Sequence, residues 1–428
     1  MKISTLRIVA WRMLLFGLCS AFLSACSSEN IIDAINGGKG NADSFEPTIS
    51  ANSRYVAFTS LSNNLVSDDT NETADIFVYD RNSGITERVS IASDGSQADA
   101  GSYKPSISAD GRYVAFIADA SNLVDDDTNN EKDVFVHDRV TGSTELVSID
   151  SDGSQGNFDS DQVAISADGR YVAFTSLSDN LVLNDTNMKA DVFVHDRDRG
   201  ITERISVSSS GSQGDGYHPA ISADGRYVTF AADTSHLILN DTNMKADIFV
   251  HDRNSRTTEL VSIASDGSQG NSDSLFPAIS ADGRYVAFDS SANNLVPEDT
   301  NAAKDVFVHD RKTGLTALVS IAMDGSQGDD DSSISSISGD GNYVVFQSLA
   351  STFISHDDND FSDVFIHHRY VGITDLVSVS SYGGQANEHS YRPAISADGR
   401  YVVFQSQASN MISNDDNGST DIFIRKVN

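Results

Sequence analysis

From about residue 44 onward, short apolar runs alternate with polar stretches at a fixed interval. Four runs recur in order, "PAIS", "RYVAF", "DVFVHD" and "TERVSI", bounded by Asp-Gly, Asn-Gly and Ser-rich segments, and each has strand length and β-branched or aromatic content. No helical period of useful length competes with them. The middle runs are almost continuously apolar, as buried strands are, whereas the fourth alternates, which suits an outer strand with one wet face. The Ile-Ser pair of the first run falls at Ile49-Ser50, Ile107-Ser108, Ile165-Ser166, Ile221-Ser222, Ile279-Ser280, Ile337-Ser338 and Ile395-Ser396. These are seven copies spaced by 58 residues, with one interval of 56.

A four-stranded antiparallel unit repeated seven times closes best as an all-β, seven-bladed β-propeller, because radial packing leaves only short outer edges. Three aromatic series in register with the repeat, beginning at Tyr55, Phe58 and Phe77, are then blade packing. The seventh copy ends at "DIFIRKVN" with three strands. Residues 31–47 align without a gap to residues 261–277, so Asn30 to Ala34 is expected to supply the last blade's fourth strand and close the ring. That makes "NGGKGNADS", residues 36–44, a repeat junction instead of a linker.

The first 25 residues are different. Lys2, Arg7 and Arg12 accompany the apolar run "MLLFGLCSAFL" and "LSAC" at Leu23 to Cys26, which resembles the signal peptide and lipobox of a bacterial lipoprotein. The resemblance implies cleavage before Cys26, acylation of that residue, and sorting to the outer membrane permitted by Ser27. Residues 26–29 would be a short lipid-proximal segment and residues 30–428 one propeller domain. Neither cysteine, Cys19 or Cys26, would then remain as a free thiol or disulfide. Cleavage removes three of 29 basic residues and none of the 62 acidic ones, leaving a chain still more negative than the precursor's −33. Such a surface repels nucleic acid and gives no broad grip on an anionic bilayer, so the acyl anchor alone would reach the membrane.

The strand pair S-x-D-G-x-x-[IV]-[AV]-F followed by [IV]-F-V-x-D resembles the TolB-type, or WD-like, propeller repeat over about residues 44–428. The family itself, as the resemblance implies, joins a separate N-terminal α/β domain to six blades, and this chain departs from that with seven copies and no room for the extra domain. The repeat also accompanies serine peptidase domains, but no G-x-S-x-G elbow follows here.

Candidate chemistry lies in two places. Every long connection before the third strand carries D-x-N-x-x-x-D. In chain order these are Asp69, Asn71 and Asp75; Asp127, Asn129 and Asp133; Asp185, Asn187 and Asp191; Asp241, Asn243 and Asp247; Asp299, Asn301 and Asp305; Asp357, Asn359 and Asp363; and Asp415, Asn417 and Asp421. These side chains suit turn capping, and the same oxygens are what calcium takes. No cofactor is otherwise expected. His137, His195, His251, His309 and His367 share a repeat position and are expected to hydrogen bond locally. The second place is the variable pair ahead of the first strand, where Glu46, Tyr103, Lys104, Tyr217, His218, Tyr391 and Arg392 would ring the axial opening on the face away from the membrane. Aromatics beside cations suit an envelope protein, peptide or glycan as partner of a monomeric, non-catalytic scaffold. The alternative is a polysaccharide lyase or glycan hydrolase using Glu46, His218 and Arg392 at that opening.

Overall fold

The computed structural model describes residues 28–30, 40–239, 241–355, 357–413 and 415–427. They form seven antiparallel four-stranded sheets arranged around an axis, with consecutive strands adjacent in every sheet. Blade one contains Ser44–Ile49, Tyr55–Ser60, Asp75–Asp80 and Ile85–Arg88. Blade seven contains Ser390–Ile395, Tyr401–Ser406 and Asp421–Lys426, and its outermost strand is Ser28–Asn30 from the start of the chain. That strand pairs antiparallel with Asn30 opposite Phe423, just as Leu260 stands opposite Phe249 in blade four, so the repeat alignment gives the correct register. The strand begins at Ser28, two residues earlier than expected, and residues 31–34 lie outside those described. Its register brings the chain in beside Arg425, at the edge shared with the hairpin turns between first and second strands.

The repeat's aromatics build the blade interiors. In each blade one phenylalanine from strand two and one from strand three are buried and stacked, as at Phe58 and Phe77 with ring centroids 5.9 Å apart. The tyrosines join blades. Tyr55 lies between Arg54 of its own blade, 4.7 Å from the ring centroid, and Arg139 of the next, 4.2 Å away. The Gly111 turn of blade two packs on the same ring with φ of +79°, and a Cβ there would fall 2.1 Å from it. Asp-Gly in this turn is therefore fixed both by backbone conformation and by the tyrosine beneath it. Below, backbone hydrogen bonds run from blade to blade around the axis, from Ala109 to Ala167, Ala223, Ala281, Gly339 and Ala397.

Two expectations need correction. The fourth strands are shorter than "TERVSI", ending at Arg88 in blade one, because Ser90 turns inward to donate to the buried Asp75 carboxylate at 2.5 Å and leaves the ladder. The variable pairs do not precede the first strand. They lie within it, at a β-bulge.

Candidate functional site

In every blade the pairing of strands one and two slips at the variable pair, as between Phe45 and Thr48 or Tyr391 and Ala394. The second member of each pair takes a left-handed backbone: Glu46, Lys104, Gln162, His218, Phe276, Ile334 and Arg392 all have φ between 49° and 56°. Seven non-glycine residues in that region, one of them β-branched, carry strain that surrounding bonds must hold. The bulge turns the N–H out of its ladder, and in four blades an acceptor from the preceding blade meets it, while Gln162 N donates to Asp161 of its own blade at 2.9 Å. Gln405 Oε1 accepts from Glu46 N at 2.8 Å, Glu46 Oε2 from Lys104 N at 2.8 Å, Gln162 Oε1 from His218 N at 2.6 Å and Gln347 Oε1 from Arg392 N at 3.0 Å.

The acceptor comes from one of two places. Where strand two offers a short threonine, the bulge residue itself supplies the oxygen, and Thr59 and Thr175 support Glu46 and Gln162 at 3.3 and 3.2 Å. Where strand two offers Gln347 or Gln405, the bulge residue is released to be Ile334 or Arg392. Much of the variation among blades at this position is thus a matched exchange instead of drift at a loop tip.

The ring brings most of the predicted side chains together. Arg392 Nη1 lies 3.7 Å from Glu46 Oε1, with the arginine side chain 49% exposed and the glutamate 15%. Lys104 Nζ meets both oxygens of Asp161 at 2.8 and 2.9 Å. His218 lies against Phe276 with centroids 4.2 Å apart and the rings tilted by 37°, and meets Tyr217 edge-on at 5.3 Å. Burial first, then the charges of Lys104 and Arg392, push the His218 imidazole down to about 4, against an opposing pull from Asp161. Tyr217 donates to Asp233 at 2.6 Å, and burial with that carboxylate pushes its phenol up. Tyr103 turns away from this group and covers Gly101, where a Cβ would fall 2.2 Å from its hydroxyl. Tyr391 instead lines a cleft of about 490 Å³ between blades six and seven with Gln347, Ser333, His389, Gln407 and Asp331. A matching cleft of about 390 Å³ between blades three and four is lined by Tyr217, Lys132, Asp161 and Gln162. Asp161, Gln162 and Phe276 belong to the same variable pairs but were not among the ligand candidates, the strand-two glutamines were not singled out from sequence, and only the bulge reveals their partners.

The repeated Asp/Asn loops show turn capping directly. The Asn side-chain oxygen accepts from the N–H two residues on: Asn71 from Thr73 at 3.4 Å, Asn129 from Glu131 at 2.9 Å, Asn187 from Lys189 at 3.0 Å, Asn243 from Lys245 at 2.9 Å and Asn359 from Phe361 at 2.9 Å. The same amide donates to the following Asp and to a carbonyl of the next repeat junction. Asn71 reaches Asp75 at 2.9 Å and Ala98 O at 3.1 Å, and Asn129 reaches Asp133 at 2.8 Å and Gly156 O at 2.9 Å. Asn187 reaches Asp191 at 2.9 Å and Gly214 O at 2.7 Å, and Asn243 reaches Asp247 at 2.7 Å and Gly270 O at 3.0 Å. Asn359 likewise reaches Asp363 at 3.1 Å and Ala386 O at 2.9 Å. Asn71, Asn187, Asn243 and Asn359 turn their oxygen to the backbone and their NH2 to the carboxylate. A cation in such a loop would have to draw on carboxylates and other oxygens. In blade seven Asn417 reaches Gly40 O at 3.2 Å and Thr420 N donates to Asp43 at 2.7 Å, which places residues 40–43 in the folded body.

The repeat histidines bond locally: His137 Nδ1 lies 2.9 Å from Thr144 Oγ1, whose hydroxyl donates to Ile91 O of the preceding blade. The imidazole is thereby the donor to threonine, and burial pushes His137 and His367 down to about 4.

No family model matches this chain, and no curated protein sequence does. Among solved structures, an oligogalacturonate lyase in complex with manganese is 10% identical, with 95% of this chain and 94% of that one covered at a TM-score of 0.55. The β-propeller domain of the Trilobed protease from Pyrococcus furiosus is 12% identical, with 86% and 90% covered at 0.52. TolB from Acinetobacter baumannii is 15% identical, with 92% and 74% covered at 0.42. The chain shares the propeller fold with the lyase and with the propeller domain of the protease.

Proposed function

We propose that this chain is a non-catalytic propeller of the bacterial cell envelope, held at the outer membrane by acyl chains on Cys26, which binds an acidic glycan on its axial face. The observation that carries the reading is the half-exposed Arg392 guanidinium on the bulge ring, next in sequence to Tyr391, whose cleft is lined by hydroxyls, carboxamides, His389 and Asp331. Glu46 is poorly placed as a base, since its oxygens already serve Lys104 N, Thr59 and Arg392. Entry of the chain at the Arg425 edge supports an orientation in which the bulge ring faces away from the anchor.

Titration calorimetry with an oligogalacturonate tests this reading. Binding without turnover, weakened about tenfold in Arg392→Ala, is the expected result. One observation favours the lyase reading: a neutral His218 beside Lys104 and Arg392 is suited to remove a proton next to a sugar carboxylate. Ultraviolet absorbance from an unsaturated product, lost in His218→Gln, would establish it. For the anchor, Cys26→Ser should move the protein from the membrane to the soluble fraction; continued membrane attachment would remove that part of the proposal.

A further inference from the structure

Blade one shows what the carboxylates of these loops require. Arg88 Nη1 lies 3.1 Å from Asp69 Oδ1 and 3.6 Å from Asp75 Oδ2, and donates to Gln97 Oε1 at 3.1 Å, while its Nη2 donates to the carbonyl of Asp68 at 3.1 Å. One buried guanidinium thus gathers two carboxylates, a carboxamide oxygen and a backbone carbonyl. Blade three repeats the device with Arg204 against Asp185 at 3.3 Å. In blades two, four, five and six the register partner of the strand-three phenylalanine is instead leucine: Leu146, Leu260, Leu318 and Leu376. Blades two and six compensate with a carboxamide, since Gln155 Nε2 donates to Asp127 at 2.7 Å and Asp133 at 2.9 Å, and Gln385 Nε2 to Asp357 at 2.6 Å and Asp363 at 3.1 Å.

Blades four and five have neither device: Gln269 turns its oxygen to Thr242 N at 3.2 Å, Asp241 Oδ1 is left without a hydrogen bond as Asp299 Oδ1 is, and of the two aspartates Asp299 is the more buried. Asp299 is 8% exposed, and its buried Oδ1 accepts no hydrogen bond. Gln327 presents Oε1 to Thr300 N at 3.0 Å, as Gln97 does to Thr70 N at 3.1 Å. Asp305 already has Ser320 on Oδ1 at 2.5 Å and Asn301 on Oδ2 at 2.9 Å. Two neighbouring carboxylates without a cation are costly in such a place. We infer that blade five binds a hard divalent cation of the calcium class where blades one and three place a guanidinium, through Asp299, Asp305, Gln327 Oε1 and the Glu298 carbonyl. Those are the oxygens homologous to the four collected by Arg88, and water would complete the six to eight that calcium takes.

The test uses the full chain, stripped with chelator, dialysed against calcium chloride and assayed for bound metal. Leu318→Arg supplies the guanidinium and should bind about one calcium fewer than wild type, with a melting temperature no longer raised by about 5 °C when calcium replaces chelator. Arg88→Leu empties blade one of its internal cation and should bind about one more. Asp299→Asn, a smaller change, should repeat the loss seen in Leu318→Arg. Equal calcium content in wild type and in Leu318→Arg or Asp299→Asn would overturn the proposal. So would the absence of bound calcium from wild type, which would mean that Gln327 swings to bridge the pair as in blades two and six.

Discussion

At the scale of single residues, the bulge ring makes one carboxylate unusual. Asp289 is 1% exposed at the position where blades six and seven carry Gln347 and Gln405. Being one methylene shorter, it brings no oxygen into good hydrogen-bond geometry, and the groups facing it are the N–H of Ile334, Lys304 Nζ at 4.0 Å and Asp331. Burial pushes its carboxyl up to about 7, with Lys304 pulling the other way. The folded state then holds this proton over a range in which the unfolded chain has lost it, so stability falls as pH rises from about 4 through about 7. Burial also raises Asp133, Asp191, Asp247, Asp305 and Asp363 to about 6, so Asp289→Asn should make that slope shallower without removing it, and stabilise the protein at about pH 8 by on the order of 3 kcal/mol, read from urea unfolding at several pH values. The buried histidines act in the opposite sense. His367, pushed down to about 4 by burial, stays neutral while its unfolded counterpart takes up a proton below about 6.5, so stability falls as pH drops through that interval. His367→Tyr copies the native residue of blade one, Tyr79, and should make the acid limb shallower. An unchanged acid limb would show that His367 is charged in the fold.

At the scale of elements, the clasp is the least redundant part. Strand Ser28–Asn30 covers the edge of Asp421–Lys426, and without it that edge offers unpaired backbone groups to another chain. Deleting residues 28–30 should lower the melting temperature by about 5 °C and shift the protein toward larger species in gel filtration. A monomer with the original melting curve would show that the clasp is dispensable. The clasp was legible in sequence because a repeat carries its own alignment: Asn30 falls opposite Phe423 as Leu260 falls opposite Phe249. Strand order, the stacked phenylalanines and the local role of the histidines were legible for the same reason. The bulges were not. A left-handed residue usually announces itself as glycine or asparagine, and here Glu46, Phe276 and Ile334 occupy that conformation because neighbouring blades bond the turned-out N–H or crowd around it. Nor was the exchange of Arg88 for Leu318 visible as chemistry, since it alters the fourth strand while its meaning lies in the loop before the third.

At the scale of the whole molecule, charge is distributed by the fold. Five of the arginines at the hairpin turns are held by strand-three carboxylates, Arg54 by Asp80, Arg112 by Asp138, Arg170 by Asp196, Arg226 by Asp252 and Arg284 by Asp310, and others stack on tyrosines. Much of the positive charge is thereby engaged on the face where the chain enters, while the Asp-rich loops crowd the opposite one. An acidic ligand approaching the bulge ring meets a chain of net charge −33 before it meets Lys104 and Arg392. Long-range repulsion acts on the encounter and short-range attraction on the complex, so salt affects the two steps separately. Raising sodium chloride from about 20 to about 300 mM should increase the association rate of an oligogalacturonate severalfold in stopped-flow measurements. The dissociation rate should rise as well, since the same ions screen the Arg392 contact, and Arg392→Ala should abolish that second effect while leaving the first. An association rate that falls with added salt would mean that the local field of the ring outweighs the charge of the whole chain.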